Sequence, residues 1–291
     1  MRLPCLNAKF FWLMWIYYLY LLYNNKTRMK LDLTGKNAIV CGSTQGIGKA
    51  IAIELALLGA NIILIARNKE KLVEVRNELD TSKKQNHHFL VVDFGFPPQL
   101  KLVVEDYMEN NNIAVNILVN NTGGPNGGAI EDAKTEEFVH TFSNHLICNH
   151  ILMQAVKEGM KSSGYGRIIN IISTSVKQPL NGLGVSNTIR GAVASWAKTL
   201  ANELGEFGIT VNNVLPGKTN TVRLKSIIEN KASKSGGDIA TIQEGMANMV
   251  PMKRIAQPEE VANAVAFLAS PAASYINGIN LPVDGGRTKC L

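Results

Sequence analysis

From Lys36 onward, short runs of apolar residues alternate with longer stretches that are apolar on one side only. The runs at 37–41, 61–66, 89–93, 115–120, 167–173, 209–215 and 278–283 read as strands. Several are apolar throughout, the pattern of strands buried on both faces of a parallel sheet. The stretches at 47–58, 70–79, 138–160, 186–204 and 258–268 read as helices. In the first of them Ile47, Ile51, Leu55 and Leu58 fall on one face. Regular alternation of strand and helix predicts an α/β fold, a doubly wound parallel sheet of the Rossmann type in one domain. One segment breaks the rhythm. Residues 218–252 are polar and include Gly236–Gly237, and read either as a lid over a site or as a solvated excursion.

Composition adds little until the charge is partitioned. The formal net charge is +7, but Arg2, Lys9, Lys26, Arg28 and Lys30 lie in the first thirty residues, which hold no acid. The remainder is close to neutral and carries no footprint for a phosphate backbone, so nucleic acid is not an expected partner. Cys5, Cys41, Cys148 and Cys290 are scattered, with no metal-ligand spacing. They read as reduced thiols of a cytoplasmic protein, and no metal is expected.

The N-terminus is unlike the rest. Residues 10–23 contain no charge, and eight of these fourteen are aromatic. Three readings stand: a signal peptide or signal anchor, an interfacial anchor, or upstream sequence preceding a start at Met29. The run is shorter than the roughly 20 residues of a spanning helix, and no small-residue cleavage site follows it. The expected division is therefore an extension, 1–28, and a globular domain, 29–291. A membrane is a partner only if the extension belongs to the working protein.

The first predicted strand ends in Gly42-Ser43-Thr44-Gln45-Gly46-Ile47-Gly48 and leads directly into a helix. Gly42 permits the tight turn, Gly46 lets backbone approach a pyrophosphate, and Gly48 lets helix and strand pack closely. The helix N-terminus then offers free N–H groups and a partial positive charge to phosphates. A glycine triplet in this strand-to-helix setting predicts a dinucleotide site. At the end of the second strand stand Arg67 and Asn68 instead of an acid. A cation there suits the 2′-phosphate of NADP.

The spacing Gly-x-x-x-Gly-x-Gly resembles that of the short-chain dehydrogenase/reductase family, and further matches follow in the family's order. Asn120-Asn121-Thr122-Gly123 resembles its Asn-Asn-Ala-Gly, with Thr122 at the Ala. Cys41 stands where Thr is usual. Asn144 falls at its relay Asn, Ser173 at the Ser closing its fifth strand, and Pro216-Gly217 at the pair abutting the nicotinamide. Asp284-Gly285-Gly286 is similar to its usual ending. The resemblance covers residues 31–286 and is nearest in style to bacterial 3-oxoacyl-acyl-carrier-protein reductases. It implies that Gly42, Ser43, Gln45, Gly46, Ile47, Gly48, Arg67, Asp93, Asn120, Gly123, Arg190, Pro216, Gly217 and Thr221 hold NADP(H). It also implies a dimer or tetramer, paired through the helices at 138–160 and 186–204.

The resemblance breaks at the chemistry. The family's catalytic Tyr, thirteen residues after the Ser, falls at Ser186, and its Lys falls at Arg190. Of the tyrosines outside the N-terminal run, Tyr165 precedes the fifth strand and so lies at the wrong end of the sheet; Tyr107 and Tyr275 are no better placed. A Ser hydroxyl is a far weaker acid than a phenol. Arg stays charged but can donate to a ribose and stabilise an oxyanion. Ser186 would also serve as the N-cap of its helix. The expected catalytic set is Asn144, Ser173, Ser186 and Arg190. The expected function is NADP(H)-dependent interconversion of a carbonyl and an alcohol by an altered route. The alternative is a dinucleotide-binding protein without catalysis. Residues 123–128 and the polar segment would border the substrate.

Overall fold

The computed structural model describes residues 29–290, together with residues 12 and 14–17. Seven strands form one sheet: β1 (Asn37–Cys41), β2 (Asn61–Ala66), β3 (His88–Val91), β4 (Ile117–Asn120), β5 (Gly166–Ile171), β6 (Ile209–Pro216) and β7 (Asn280–Val283). All adjacent pairs are parallel, in the order β3-β2-β1-β4-β5-β6-β7. The helices are α1 (Gly46–Leu57), α2 (Lys69–Glu78), α3 (Pro97–Asn111), α4 (Thr135–Phe142), α5 (Cys148–Ser163), α6 (Gly184–Leu204), α7 (Val222–Ser235), α8 (Ile239–Asn248) and α9 (Pro258–Ala269).

Strand periodicity divides the core. Ala38 and Val40 of β1 pack with Ile51 and Leu55 of α1 and Val261 and Val265 of α9 on one face. Ile39 and Cys41 pack with Leu100 of α3, Leu152 of α5 and Leu200 of α6 on the other. Burying one such Leu or Ile stabilises the fold by about 1.5–3 kcal/mol. Because β1 feeds the inner strands on both sides, the chain reverses direction across the sheet between β1 and β4. Open α/β sheets bind ligands at that place, beyond the carboxyl ends of the strands.

The expected doubly wound single sheet is present, and four local expectations are corrected. The helix expected at 138–160 is interrupted: Ser143–Ile147 forms a π turn between α4 and α5. A π turn accommodates one extra residue, which rotates the faces on its two sides relative to each other by about 100°. Ser186 is not a helix cap, since α6 begins at Gly184 with Leu183 before it. The polar segment is not irregular chain: it folds into α7 and α8, and both helices stay largely exposed. Between β3 and β4, where the sequence reading has no helix, α3 starts on Pro97–Pro98 and buries Leu100 and Val104 one turn apart. Residues 12 and 14–17 of the aromatic run are helical and exposed. The rest of that run lies outside the described residues, and no helix among the described residues is long and apolar enough to cross a membrane.

A line of side-chain amides joins the second half of the sheet. Asn120, Asn170, Asn213 and Asn280 are register partners on β4, β5, β6 and β7. The Asn120 Nδ2 donates to the Asn170 Oδ1 at 2.8 Å, the Asn170 Nδ2 to the Asn213 Oδ1 at 2.9 Å, and the Asn213 Nδ2 to the Asn280 Oδ1 at 2.8 Å. Removing the Asn170 amide leaves a donor and an acceptor without partners in the interior. Asn170→Ala is expected to cost about 2–4 kcal/mol in urea unfolding; a loss below about 0.5 kcal/mol would show that the ladder contributes nothing to stability.

Candidate active site

The turn after β1 is shaped for close approach. Gly42 has φ of +58° and donates its N–H to Ile65 of β2 at 2.8 Å. A Cβ on Gly48 would collide with the Gly42 carbonyl and lie 2.7 Å from the Asn121 Nδ2. Asn121 in turn donates to the carbonyls of Cys41 and Gly42 at 3.1 and 3.3 Å, fastening the end of β4 to this turn. Gln45 precedes α1 in extended conformation without a side-chain cap, so the first N–H groups of the helix have no such partner. Ile47 opens the first turn of α1. The Ser43 hydroxyl is buried with no hydrogen-bond partner. Gly123, just past β4, has nothing within 4 Å of where a Cβ would stand. Narrow backbone, free donors and open space above fit a pyrophosphate.

The structure brings Arg67 and Asp93 to one place at the β2–β3 end. Their nearest N–O distance is 3.7 Å, and the Arg67 side chain is 76% exposed, free to turn toward a ligand. The Asp93 carboxylate also accepts the Gly95 N–H at 2.9 Å. On the far side of β1, Pro216 closes β6, and Gly217 donates to the Val283 carbonyl at 2.9 Å. Thr221 caps α7 by accepting from the Leu224 N–H at 3.3 Å, and its methyl would lie 3.1 Å from a Cβ on Gly46. The start of α7 thus leans on the glycine turn.

The four candidate catalytic residues occupy the carboxyl edge of β5 and the helices beside it. Ser173 lies two residues past β5 and accepts the Ser175 N–H on its Oγ at 3.1 Å. Ser186 and Arg190, one turn apart on α6, are both buried. Arg190 donates through Nη1 to the Ile171 carbonyl at 2.9 Å, while its Nε has no partner. Burial, and then the nearby Arg223, lower the Arg190 pKa to about 10, so the guanidinium remains charged at neutral pH. Asn144 sits in the π turn, its amide 2.9 Å from the His140 ring and its Oδ1 buried without a partner. π turns recur where a helix must present a functional group. The tyrosines between 29 and 290 are engaged elsewhere or exposed: Tyr165 donates to the Ala269 carbonyl at 2.6 Å, Tyr107 packs edge-to-face on His88 at the start of β3, and Tyr275 is fully exposed.

Two residues of this region are absent from the sequence reading. Arg223, in the first turn of α7, donates to the carbonyls of Gly124 and Pro125 at 2.6 and 2.9 Å, strapping the start of α7 to the loop after β4. No feature of its sequence neighbourhood announces that contact. His145, next to Asn144, is buried. Burial and the charges of Arg190 and Arg223 outweigh a hydrogen bond to the Gly123 backbone and push its pKa down to about 2. Its signal is legible: His145 lies one turn before Cys148 and two before Leu152 on the apolar face of α5.

A Rossmann sheet with this glycine turn and a Ser at the end of its fifth strand defines a class, and the comparisons with known proteins name it. Residues 42–288 match the family model described as Enoyl-(Acyl carrier protein) reductase. The 3-oxoacyl-[acyl-carrier-protein] reductase FabG of Vibrio cholerae is 33% identical, over 88% of this chain and 98% of the relative. The NADPH-dependent reductase BacG of Bacillus subtilis is 27% identical, over 89% of this chain and all of the relative. L-sorbose reductase from Gluconobacter frateurii, solved with NADPH and L-sorbose, superposes with a TM-score of 0.85 at 33% identity, covering 90% of this chain and all of that one. The chain belongs to the short-chain dehydrogenase/reductase family.

His145 carries a test of this electrostatic picture. Its folded pKa lies below the 6.5 of a free imidazole, so the unfolded chain binds that proton first and stability attributable to this group falls as pH drops below 6.5. The His145 ring is expected to stay neutral from pH 8 down to 5 in NMR titrations; a midpoint within that range would contradict the burial and the arginine neighbours.

Proposed function

We propose that this protein is an NADP(H)-dependent oxidoreductase that interconverts a carbonyl and an alcohol without the family's Tyr–Lys pair. The observation that carries the reading is that the buried, charged Arg190 donates to Ile171 at the end of β5, two residues before Ser173 and one helical turn from Ser186, with the π turn that holds Asn144 packed on the same helix. Gly42, Ser43, Gln45, Gly46, Ile47 and Gly48 hold the pyrophosphate, Arg67 the 2′-phosphate, and Asp93 the adenine side. Asn120, Gly123, Pro216, Gly217 and Thr221 border the nicotinamide half. The NADPH-dependent relatives support this choice of cofactor.

Bound NADPH supplies the hydride. The protein's part is to orient the carbonyl oxygen and deliver a proton to it. Ser173 and Ser186 donate hydrogen bonds to that oxygen, and the Arg190 guanidinium stabilises the negative charge that grows there. Arg190 keeps its proton, so the transferred proton comes from solvent through the Ser186 hydroxyl, along water held by the Asn144 carbonyl oxygen Oδ1. A hydroxyl in this role is a poor acid, which makes turnover slow relative to a phenol. A second reading, binding without catalysis, is favoured by one observation: Arg190 already spends a donor on the Ile171 carbonyl. Exposed Val139, Phe142 and Ile147 on α4 and the π turn support pairing of subunits through this side into a dimer or tetramer.

The experiment is a ketone screen that follows NADPH consumption by the parent and by Ser186→Tyr with Arg190→Lys. The double variant is expected to raise turnover by about 10²-fold or more, the lower end of what a positioned general acid contributes. Each single change should do less, because phenol and lysine each supply half of the proton route. Tyr at a buried Ser costs about 1–3 kcal/mol if the pocket cannot relax, so thermal stability is measured alongside. A folded, NADPH-binding double variant that reduces nothing would refute the assignment of Ser186 and Arg190.

A further inference from the structure

After β7 the chain turns back over the carboxyl edge of the sheet. Asp284 holds this turn: its carboxylate accepts the N–H groups of Gly286 at 3.0 Å and Thr288 at 2.8 Å. The Gly285 carbonyl accepts from the Met252 N–H at 3.4 Å, and the Cys290 thiol donates to the Lys177 carbonyl at 3.4 Å. The tail is thereby pinned across the loop that follows Ser173. Between tail and loop lies a cavity of about 350 Å³, with Thr174 and Gln178 on one wall, Arg287, Thr288 and Lys289 on the other, and Met249 above. That is the size of a small-molecule pocket.

The cavity is cationic, and among the described residues its charges have no ion partner. Neither Arg287 nor Lys289 forms an ion pair among the described residues, and no acid lines the cavity. The nearby carboxylate, Asp284, is taken up by the backbone of its own turn. Lys218, beside Gly217, adds to the field: its pKa falls to about 8 through burial and then the charges of Arg287 and Lys231. Arg287 and Lys289 lie away from the glycine turn and Arg67. The glycine turn and Arg67 follow β1 and β2, whereas Arg287 follows β7, four strands from β1. At a strand spacing of about 4.8 Å, that is roughly 19 Å across the sheet. Thr174, in contrast, is the residue next to Ser173.

We propose that the substrate carries an anionic group, a carboxylate or a phosphate, which seats in this cavity against Arg287 and Lys289 while its carbonyl lies at Ser173. Calling the ligand a substrate rests on the reductase reading; the anion site itself does not. Gln178 and Thr174 supply neutral donors beside the two cations, a donor set suited to the oxygens of either anion.

The test is calorimetric, on the full chain saturated with NADP⁺, and needs no turnover. The probes are two matched pairs: levulinate with methyl levulinate, and dihydroxyacetone phosphate with dihydroxyacetone. The charged member of at least one pair is expected to bind about tenfold or more tightly than its neutral partner, the size of a charge-assisted hydrogen bond lost, and the pair that discriminates tells carboxylate from phosphate. Arg287→Gln with Lys289→Gln should erase that preference and leave NADP⁺ affinity within about twofold, since no phosphate is within reach. Equal binding within both pairs, no binding of any probe, or a preference that survives the double substitution would overturn the proposal. A calorimetric preference for the anion together with no NADPH oxidation in the ketone screen above would keep the anion site and remove the reductase reading; reduction of neutral ketones in that screen with no calorimetric preference for the anion would do the reverse.

Discussion

Four asparagine side chains lying side by side hold the carboxyl edge of this sheet level. β4, β5, β6 and β7 lead into the segments of the candidate site at Gly123, Ser173, Pro216-Gly217 and Asp284. Those segments can be brought together only if the strand ends are in register. The amides of Asn120, Asn170, Asn213 and Asn280 specify that register from within, because a slip of one residue would send each amide to the opposite face and leave it unpaired. Between β1 and β4, Asn121 fastens the glycine turn to the end of β4. The cofactor half and the chemical half of the site are therefore joined by side-chain hydrogen bonds as well as by strand pairing.

What this frame holds is electrostatically unusual. A charged Arg190 is buried with one guanidinium nitrogen unpartnered, His145 is kept neutral beside it, and Arg223 closes the roof. Concentrated positive charge of this kind costs stability and is useful where negative charge must be met, whether on a ligand or on an oxygen gaining charge during reduction. A positive field is one way to support hydride addition to a carbonyl where no phenol is present to give up a proton.

The sequence displays most of the frame and only part of the site. β1 and β2 are legible to the residue, because each is an apolar run between polar or glycine borders that parallel-strand burial requires. The glycine turn is legible because its chemistry is backbone chemistry, local to seven residues. α3 is missed although Leu100, Val103, Val104, Tyr107 and Met108 stand at helical spacing and pack on one core face; the exposed Leu102 among them and the opening Pro97–Pro98 blur that period. The π turn escapes because one extra residue in a helix leaves no mark on an apolar period that continues through it. Arg223 escapes for a different reason: its partners, Gly124 and Pro125, lie about a hundred residues away, and nothing local encodes a tertiary contact. The cationic tail is hidden likewise, since Arg287 and Lys289 matter only once Asp284 folds them back over the site. The departures at Ser186 and Arg190 are visible in the sequence, and in the structure the two residues lie buried one turn apart on α6.

The central claim is that the fold retains a working NADP(H) cradle around an altered chemical centre. It is tested most directly by comparing the affinities of NADPH and NADH for the whole chain in parallel calorimetric titrations. The account predicts that NADPH binds more tightly by about tenfold or more, as a charge-assisted contact of Arg67 with the 2′-phosphate requires, and that Arg67→Ala removes the difference while sparing NADH. Equal affinities for the two dinucleotides, or no binding of either, would contradict it.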